Sequence, residues 1–278
     1  VVKWHKDTID AYFDKAIATF WSTTEFLEHH GRIGEKFYLV QGFETNLYPI
    51  NLSLRPLANR TYSLGDDIEY VTISGWCREW LRDKFQKEAA YAPNGIDLSN
   101  FNYKKREFSP DKKVRILIEG DSFYAYKGVD ESFKIVEKLD PAKYEVWYLS
   151  YSGEAKDWYR VDKFFHKVPY SEVGRIYEDC DILVKSSYLE SFSYPPLEMM
   201  ATGGFVVCVQ NDGNKEYIRH DYNALVYDKD DIDAGAAAVE SIVNDSSLRE
   251  RLEAHFTETV TSRSWEKIGD EICRLYHL

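Results

Sequence analysis

The chain has 278 residues, and its 35 Lys and Arg against 47 Asp and Glu give a formal net charge of −12. Because nucleic-acid affinity depends on many phosphate-neutralising cations, this charge argues against a general polyanion binder. A hydrophobic content of 44% excludes a largely disordered chain, and the length predicts about two domains.

Short apolar runs alternate along the chain with stretches of helical periodicity. The runs predict strands at 37–41, 68–73, 114–118, 145–150, 181–185, 205–209 and 224–227. Helical periodicity occurs at about 76–87, 128–139, 171–179, 195–202, 231–244, 247–260 and 264–276. Several strands are apolar on both faces, as buried parallel strands are, so we predict an α/β fold with parallel sheets in one or two doubly wound units.

A polar stretch at 94–112, rich in turn formers, separates a shorter N-terminal part from a fuller C-terminal part. We therefore expect a partial Rossmann-like domain with its linker at 1–108, a complete Rossmann-like domain at 109–262 and a C-terminal helix at 263–278. The N-terminal part is short for a doubly wound domain, and the chain begins with Val rather than Met. We therefore expect that an upstream segment of a longer polypeptide precedes it.

The densest group of candidate site residues lies at 181–204, where a buried strand leads through a polar loop to Pro195, Pro196 and a short helix. In open α/β sheets, ligands bind at the carboxyl ends of strands, and loop amides at a helix N-terminus can hold a phosphate. Glu190 and Glu198 lie on the two sides of this loop, and a carboxylate can accept two hydrogen bonds from sugar hydroxyls. Taken alone, the two residues also fit a surface acid and an acid at a helix start.

The sequence ESFSYPPLEMMATGGFVV at 190–207 resembles the E-x7-E segment of retaining GT-B glycosyltransferases of family 4, which commonly reads ESFGxPxLEAMAxGxPVV. Other stretches resemble the same family, at 92–97, 126–139, 168–187, 211–227 and 264–276. The first 90 residues resemble its rhamnosyltransferase-like members. The resemblance implies a GT-B fold in which 109–262 binds the donor and 263–278 packs back toward the N-terminal domain.

The resemblance also implies roles for individual residues. The donor would be a nucleoside-diphosphate sugar, with no further cofactor and no metal ion. Glu190 would lie by the donor sugar, Glu198 would hold the ribose hydroxyls, and Lys127 would bind the diphosphate together with the loop amides. The loop residues are Ser191, Phe192, Ser193 and Tyr194, and the base would stack near Val168 and Pro169.

One position departs from the family pattern, in which an arginine accompanies the lysine at the diphosphate. Asp121 stands where the arginine is expected, and an acid facing a diphosphate would repel it. Either Asp121 points away or another cation substitutes, and Lys185 at the end of a predicted strand is the candidate. The alternative for Lys185 is a strand-end lysine that extends to solvent, and for Lys127 an ordinary exposed lysine.

We therefore predict a metal-independent glycosyltransferase, hexosyl- or rhamnosyl-type, that transfers a sugar with retention to a glycan or lipid-linked acceptor in bacterial surface polysaccharide synthesis. The alternative is a non-catalytic GT-B-like module that binds a nucleotide or a partner, which Asp121 and the short N-terminal part favour. The sequence predicts no membrane span, because no apolar run approaches ~18 residues. Four scattered cysteines fit a reducing cytosol, so we expect a cytoplasmic protein, with peripheral association at the inner face of the cell membrane left open.

Overall fold

The structure, a computed structural model, describes residues 11–278. The chain divides into two compact units, one that runs to Asn94 and includes Gly269–Leu278, and one formed by Gly95–Ile268. The first ten residues of the N-terminal domain predicted from the sequence lie outside the described residues.

The first unit contains a parallel sheet with the strand order β1-β2-β3-β4. Its strands are β1 (Phe13–Ala18), β2 (Ile33–Val40), β3 (Ile68–Thr72) and β4 (Ala89–Tyr91), and its helices are α1 (Thr24–His29), α2 (Leu54–Arg60) and α3 (Gly75–Phe85). Tyrosines fill much of the core, since Tyr38, Tyr62 and Tyr70 are buried in one cluster. Each phenol keeps a polar partner: the Tyr70 hydroxyl, for example, donates to the carbonyl of Thr61 at 2.8 Å.

The second unit is built on a parallel sheet with the strand order β10-β9-β8-β5-β6-β7. Its strands are β5 (Val114–Glu119), β6 (Tyr144–Ser150), β7 (Lys163–His166), β8 (Ile182–Lys185), β9 (Phe205–Val209) and β10 (Leu225–Tyr227). The helices that follow β5 are α4 (Val129–Glu137), α5 (Tyr170–Asp179), α6 (Tyr194–Ala201), α7 (Ile232–Asn244), α8 (Ser246–Glu253), α9 (Phe256–Thr261) and α10 (Trp265–Leu275).

This strand order fixes where a ligand can bind in the second unit. In the second unit, β5 is the first strand, and β6 and β7 are added in turn on one side of it. The chain then returns, and β8 pairs with the other side of β5. Neighbouring loops therefore leave β5 and β8 in opposite directions, which opens a crevice at the carboxyl ends of these two strands. Glu119 ends β5 and Lys185 ends β8, so both lie at this switch point.

Most of the polar stretch at 94–112 is part of the second unit and is packed into it, unlike a free linker. Arg106 is 8% exposed, and its guanidinium donates to the carbonyls of Cys180 at 2.8 Å and Tyr177 at 2.9 Å. These bonds tie Arg106 to the end of α5, where the Tyr177 carbonyl also accepts from the Cys180 amide. The compact units accordingly divide between Asn94 and Gly95, upstream of the boundary at 108 expected from the sequence.

The last helix is divided between the two units. The residues of α10 up to Ile268 belong to the second unit, and those from Gly269 onward belong to the first. Beyond its end, the ring of Tyr276 packs edge-on against Phe37, with the ring centroids 5.1 Å apart. Within residues 11–278, every helix is too short or too polar to cross a bilayer.

Candidate functional site

A cleft of about 440 Å³ lies at the switch point of the second unit. Charged side chains at its floor come from the ends of β5 and β8, and aromatic side chains form much of its wall. The lining residues are Glu119, Lys127, Leu149, Ser150, Tyr151, Val168, Tyr170, Val173, Tyr177, Lys185, Glu190, Phe192, Ser193, Tyr194, Pro195 and Glu198. A concave site with a few convergent polar groups is the usual form of a small-molecule site.

Lys127 is held at the cleft by the backbone around it. Gly128 has a φ of 63°, and a Cβ at this position would come within 2.1 Å of the Ser186 carbonyl oxygen. Only glycine therefore allows the turn to approach the end of β8 so closely. Lys127 Nζ donates to both carboxylate oxygens of Glu190 at 2.9 Å.

The charge of Lys127 is secured by its surroundings. Burial lowers the pKa of the Lys127 ammonium, but the charges of Glu190 and Glu119 outweigh burial and leave the pKa above its ordinary value. Lys127 is therefore a fixed cation at neutral pH.

Lys185 is a second cation in the cleft and does not extend to solvent. Its side chain is 1% exposed, and its Nζ donates to Glu119 Oε2 at 2.6 Å and to the Glu119 carbonyl at 3.0 Å. Glu190 Oε1 is 3.9 Å from the same Nζ. The four side chains thus alternate in sign as Glu119, Lys185, Glu190 and Lys127, and their formal charges cancel.

The loop and the N-terminus of α6 complete the cleft. Pro195 occupies the first turn of α6, where a missing N–H is tolerated. Ser193 is 1% exposed, and its hydroxyl oxygen finds no hydrogen-bond partner among the described residues. Because buried hydroxyls are rarely left unpaired, this oxygen is available to a ligand in the cleft.

Glu198 lies deep in the cleft at 6% exposure. Burial, together with the charge of Glu119, raises the pKa of Glu198 to about 8, although a hydrogen bond with Tyr177 acts in the opposite direction. The carboxyl group is therefore mostly protonated at pH 7, and it can donate as well as accept a hydrogen bond.

The structure brings most of the residues predicted from the sequence to one cleft. Lys127, Lys185, Glu190, Phe192, Ser193, Tyr194, Glu198 and Val168 all line it, whereas Ser191 and Pro169 are not part of the wall among the described residues. Asp121 is not in the wall either, because its carboxylate caps the turn after β6. Pro169 instead directly precedes α5, as its N-cap.

Sequence reasoning missed several lining residues. Glu119 is the last residue of β5, and an acid at that position is a signal that a search of strand ends would have found. Tyr151, Tyr170 and Tyr177 carry no local signal, because a tyrosine in a sequence serves core packing as often as a cleft wall.

Similarity to known proteins agrees with this architecture. Residues 100–258 match the family model for glycosyl transferases group 1. The chain is 27% identical over 270 residues to the O-antigen biosynthesis protein RfbC of Myxococcus xanthus, covering 94% of this chain and 20% of that protein. It is 22% identical over 234 residues to the uncharacterized glycosyltransferase MJ1178 of Methanocaldococcus jannaschii, covering 77% of this chain and 61% of that protein. The chain thus spans between a fifth and about three fifths of these relatives.

Solved structures show the same fold. Sucrose-phosphate synthase from Thermosynechococcus elongatus matches with a TM-score of 0.77 at 17% identity, covering 95% of this chain and 73% of that one. Anabaena Alr3699/HepE, solved with UDP-glucose, matches with a TM-score of 0.74 at 14% identity, covering 94% and 78%. The GT-B fold predicted from the sequence is confirmed, and the family model covers more than half of the chain. The chain belongs to the group 1 family of glycosyl transferases.

Proposed function

We propose that the chain transfers a sugar from a nucleoside-diphosphate sugar to a glycan or lipid-linked acceptor, with retention of configuration. The observation that carries this proposal is the cleft at the switch point, where Lys127 and Lys185 lie beside Glu190 and the N-terminus of α6. The O-antigen relative supports a place in bacterial surface polysaccharide synthesis. Such a reaction would run in the cytoplasm, with peripheral association at the inner membrane face as an alternative, and the sugar would be of hexosyl or rhamnosyl type.

The chief demand of this reaction is stabilisation of the leaving diphosphate. Lys127 and Lys185 are already oriented by Glu190 and Glu119, so little reorganisation is needed when negative charge develops. The buried hydroxyl of Ser193 would add a donor, and the positive end of the α6 dipole would favour the diphosphate, although Pro195 and Pro196 in the first turn carry no N–H. Glu198 is mostly protonated and therefore adds no further negative charge to the cleft.

Glu190 serves two purposes in this proposal. Its carboxylate holds Lys127 at 2.9 Å, and it lies at the mouth of the loop, where the donor sugar would sit. A carboxylate there orients the sugar hydroxyls and stabilises positive charge at the anomeric carbon as the glycosidic bond to the diphosphate breaks. The nucleoside would occupy the aromatic side of the cleft, near Val168 and Tyr170.

The proposal is tested by calorimetry with UDP, GDP, ADP and dTDP, followed by transfer of radiolabelled sugar from the matching nucleotide sugar. Binding followed by transfer supports the enzyme. Binding of a nucleotide with neither transfer nor hydrolysis of its sugar would favour the alternative, a non-catalytic module. Failure to bind any of the four would contradict both.

Replacing Glu198 with Ala should weaken nucleoside-diphosphate binding by about 1–3 kcal/mol, the range for hydrogen bonds at a buried polar site. The reason is that the ribose hydroxyls lose their deepest partner in the cleft. Calorimetry on the variant and on Glu107→Ala, which removes an exposed glutamate, measures the difference. Equal affinities would leave Glu198 without a role in binding.

Chelator treatment should leave nucleotide binding and transfer unchanged. The diphosphate charge would be met by Lys127, Lys185 and the α6 N-terminus, and the described part of the chain contains no group of three metal-ligating side chains. Titration with nucleotide in excess EDTA, and again with added Mg²⁺ or Mn²⁺, is the measurement. Activity that disappears in EDTA and returns with metal would refute metal independence.

A further inference from the structure

The carboxylate of Asp121 accepts hydrogen bonds from four consecutive residues at the end of β6 and in the turn after it. Asp121 Oδ1 accepts from the Ser150 hydroxyl at 2.7 Å and from the amides of Tyr151 at 3.1 Å, Ser152 at 2.7 Å and Gly153 at 3.0 Å. Ser150 is the last residue of β6, and the three donating amides follow it consecutively along the chain. The burial of Asp121 raises its pKa, but the bonds from Gly153, Ser150 and their neighbours outweigh burial and leave the pKa below its usual range.

The same turn is held a second time through the residue after Asp121. The Ser122 hydroxyl donates to the carbonyl of Glu154 at 2.7 Å. A Cβ at Gly153 would come within 2.3 Å of the Ser122 amide nitrogen and 2.9 Å of the Asp121 carbonyl carbon. Position 153 therefore accepts only glycine without displacing the backbone, and the two loops are in direct contact.

The turn at 150–153 contributes residues to the lining of the cleft. Ser150 and Tyr151 line the cleft beside Leu149 at the end of β6, and Val168 and Tyr170 line it shortly after β7, the strand that pairs with β6. Tyr151 is 71% exposed, so packing around its side chain does little to fix its backbone. Its position depends chiefly on the bonds to Asp121.

We propose that Asp121 is a positioning residue that fixes the 150–153 turn and so shapes the wall against which the nucleoside part of the donor binds. The inference rests on the proposed function and assigns to this acid a role different from the phosphate-binding cation that stands at the equivalent place in similar enzymes. The competing idea is that Asp121 acts through its charge and merely weakens diphosphate binding by repulsion. The two ideas predict opposite results when the charge is removed and the acceptor oxygen is kept.

The test compares three variants in calorimetric titrations with UDP, GDP, ADP and dTDP. Asp121→Asn keeps an oxygen that can accept from the turn and loses the charge. Asp121→Ala loses both, and Gly153→Ala displaces the turn without touching the charge. Asp157→Ala, which removes an exposed acid of the same unit, is the matched control for the loss of one negative charge.

We expect Asp121→Asn to bind the preferred nucleotide within about twofold of the unaltered protein, and Asp121→Ala and Gly153→Ala to bind about tenfold more weakly, the loss that follows when an ordered contact wall becomes mobile. Hydrogen exchange at residues 151–153 should be faster in the two weak variants and unchanged in Asp121→Asn, which also shows that the rest of the unit stays folded.

Tighter binding by Asp121→Asn than by the unaltered protein would overturn the inference, since it would show repulsion by the charge. Unchanged affinity in both Asp121→Ala and Gly153→Ala would overturn it as well. Failure of the unaltered protein to bind any of the four nucleotides would instead refute the proposed function, and the inference with it.

Discussion

Replacing Lys127 with Ala should lower kcat/KM for donor transfer by about three orders of magnitude. The ammonium is a fixed cation whose pKa stays above its ordinary value because Glu190 and Glu119 outweigh the effect of burial. A hydrogen bond to a charged group contributes about 1.5–3 kcal/mol to binding, and the loss of a donor to a developing oxyanion costs about 10²–10³ in turnover. Lys127→Ala should lower both donor affinity and turnover, because the diphosphate is both the group that Lys127 binds and the leaving group.

Lys127→Ala also removes the cation that pairs with Glu190, so a variant of similar side-chain size is needed for comparison. Glu190 is 10% exposed, and without Lys127 its nearest cation is Lys185 at 3.9 Å. Lys127→Met keeps most of the length of the side chain and removes the ammonium with its charge and donors, and it should lose as much as Lys127→Ala. Lys138→Ala removes an exposed lysine paired with Asp233 and should match the unaltered protein. Nucleotide affinity that is the same in all four proteins would mean that the diphosphate does not bind at Lys127.

The buried strands of the second unit could be predicted from the sequence almost to the residue. The run at 205–209 is strand β9 as it stands, and 114–118 is β5 without its last residue. All five residues of β9 are buried, and a strand covered on both faces must be apolar throughout, which gives a strong signal.

Two of the edge strands, β1 and β7, gave no such signal, although the edge strand β10 falls within the run predicted at 224–227. The strand β1 includes Asp14 and Lys15, and β7 begins with Lys163; each is the outermost strand of its sheet and keeps polar side chains. The stretch at 247–260 was predicted as one helix and is two, α8 and α9, which separate at Ala254 and His255. The break allows Phe256 to be buried against Phe205, with ring centroids 5.6 Å apart.

The site shows a similar division between local and distant information. Glu190 and Glu198 were found because they lie in one short segment with a recognisable spacing. The partners that set their behaviour lie far away in sequence, since Lys127 is 63 residues from Glu190. The role of Asp121 depends on amides 30 to 32 residues later, and no pattern in the neighbourhood of Asp121 indicates that turn.

Replacing Glu198 with Gln should stabilise the ligand-free protein at neutral and alkaline pH. Burial raises the pKa of Glu198 from 4.5 to about 8 in the folded protein, so the folded state holds a proton that the unfolded state releases above pH 4.5. The contribution of Glu198 to the free energy of unfolding is therefore greatest below pH 4.5. It declines as the pH rises from 4.5 to 8 and levels off above 8. Gln resembles the protonated acid in shape and hydrogen bonding and carries no such dependence.

The difference in unfolding free energy between the Gln variant and the unaltered protein should thus be below about 1 kcal/mol at pH 5 and reach about 4 kcal/mol at pH 8, because one unit of pKa shift corresponds to about 1.4 kcal/mol. Urea denaturation at pH 5, 6, 7 and 8 measures it, with Glu107→Gln as an exposed control that should show no growing difference. A difference that stays constant with pH would show that the carboxyl group ionises alike in both states. Water would then have to reach Glu198 in the ligand-free cleft, and the carboxylate would meet the ribose hydroxyls already charged.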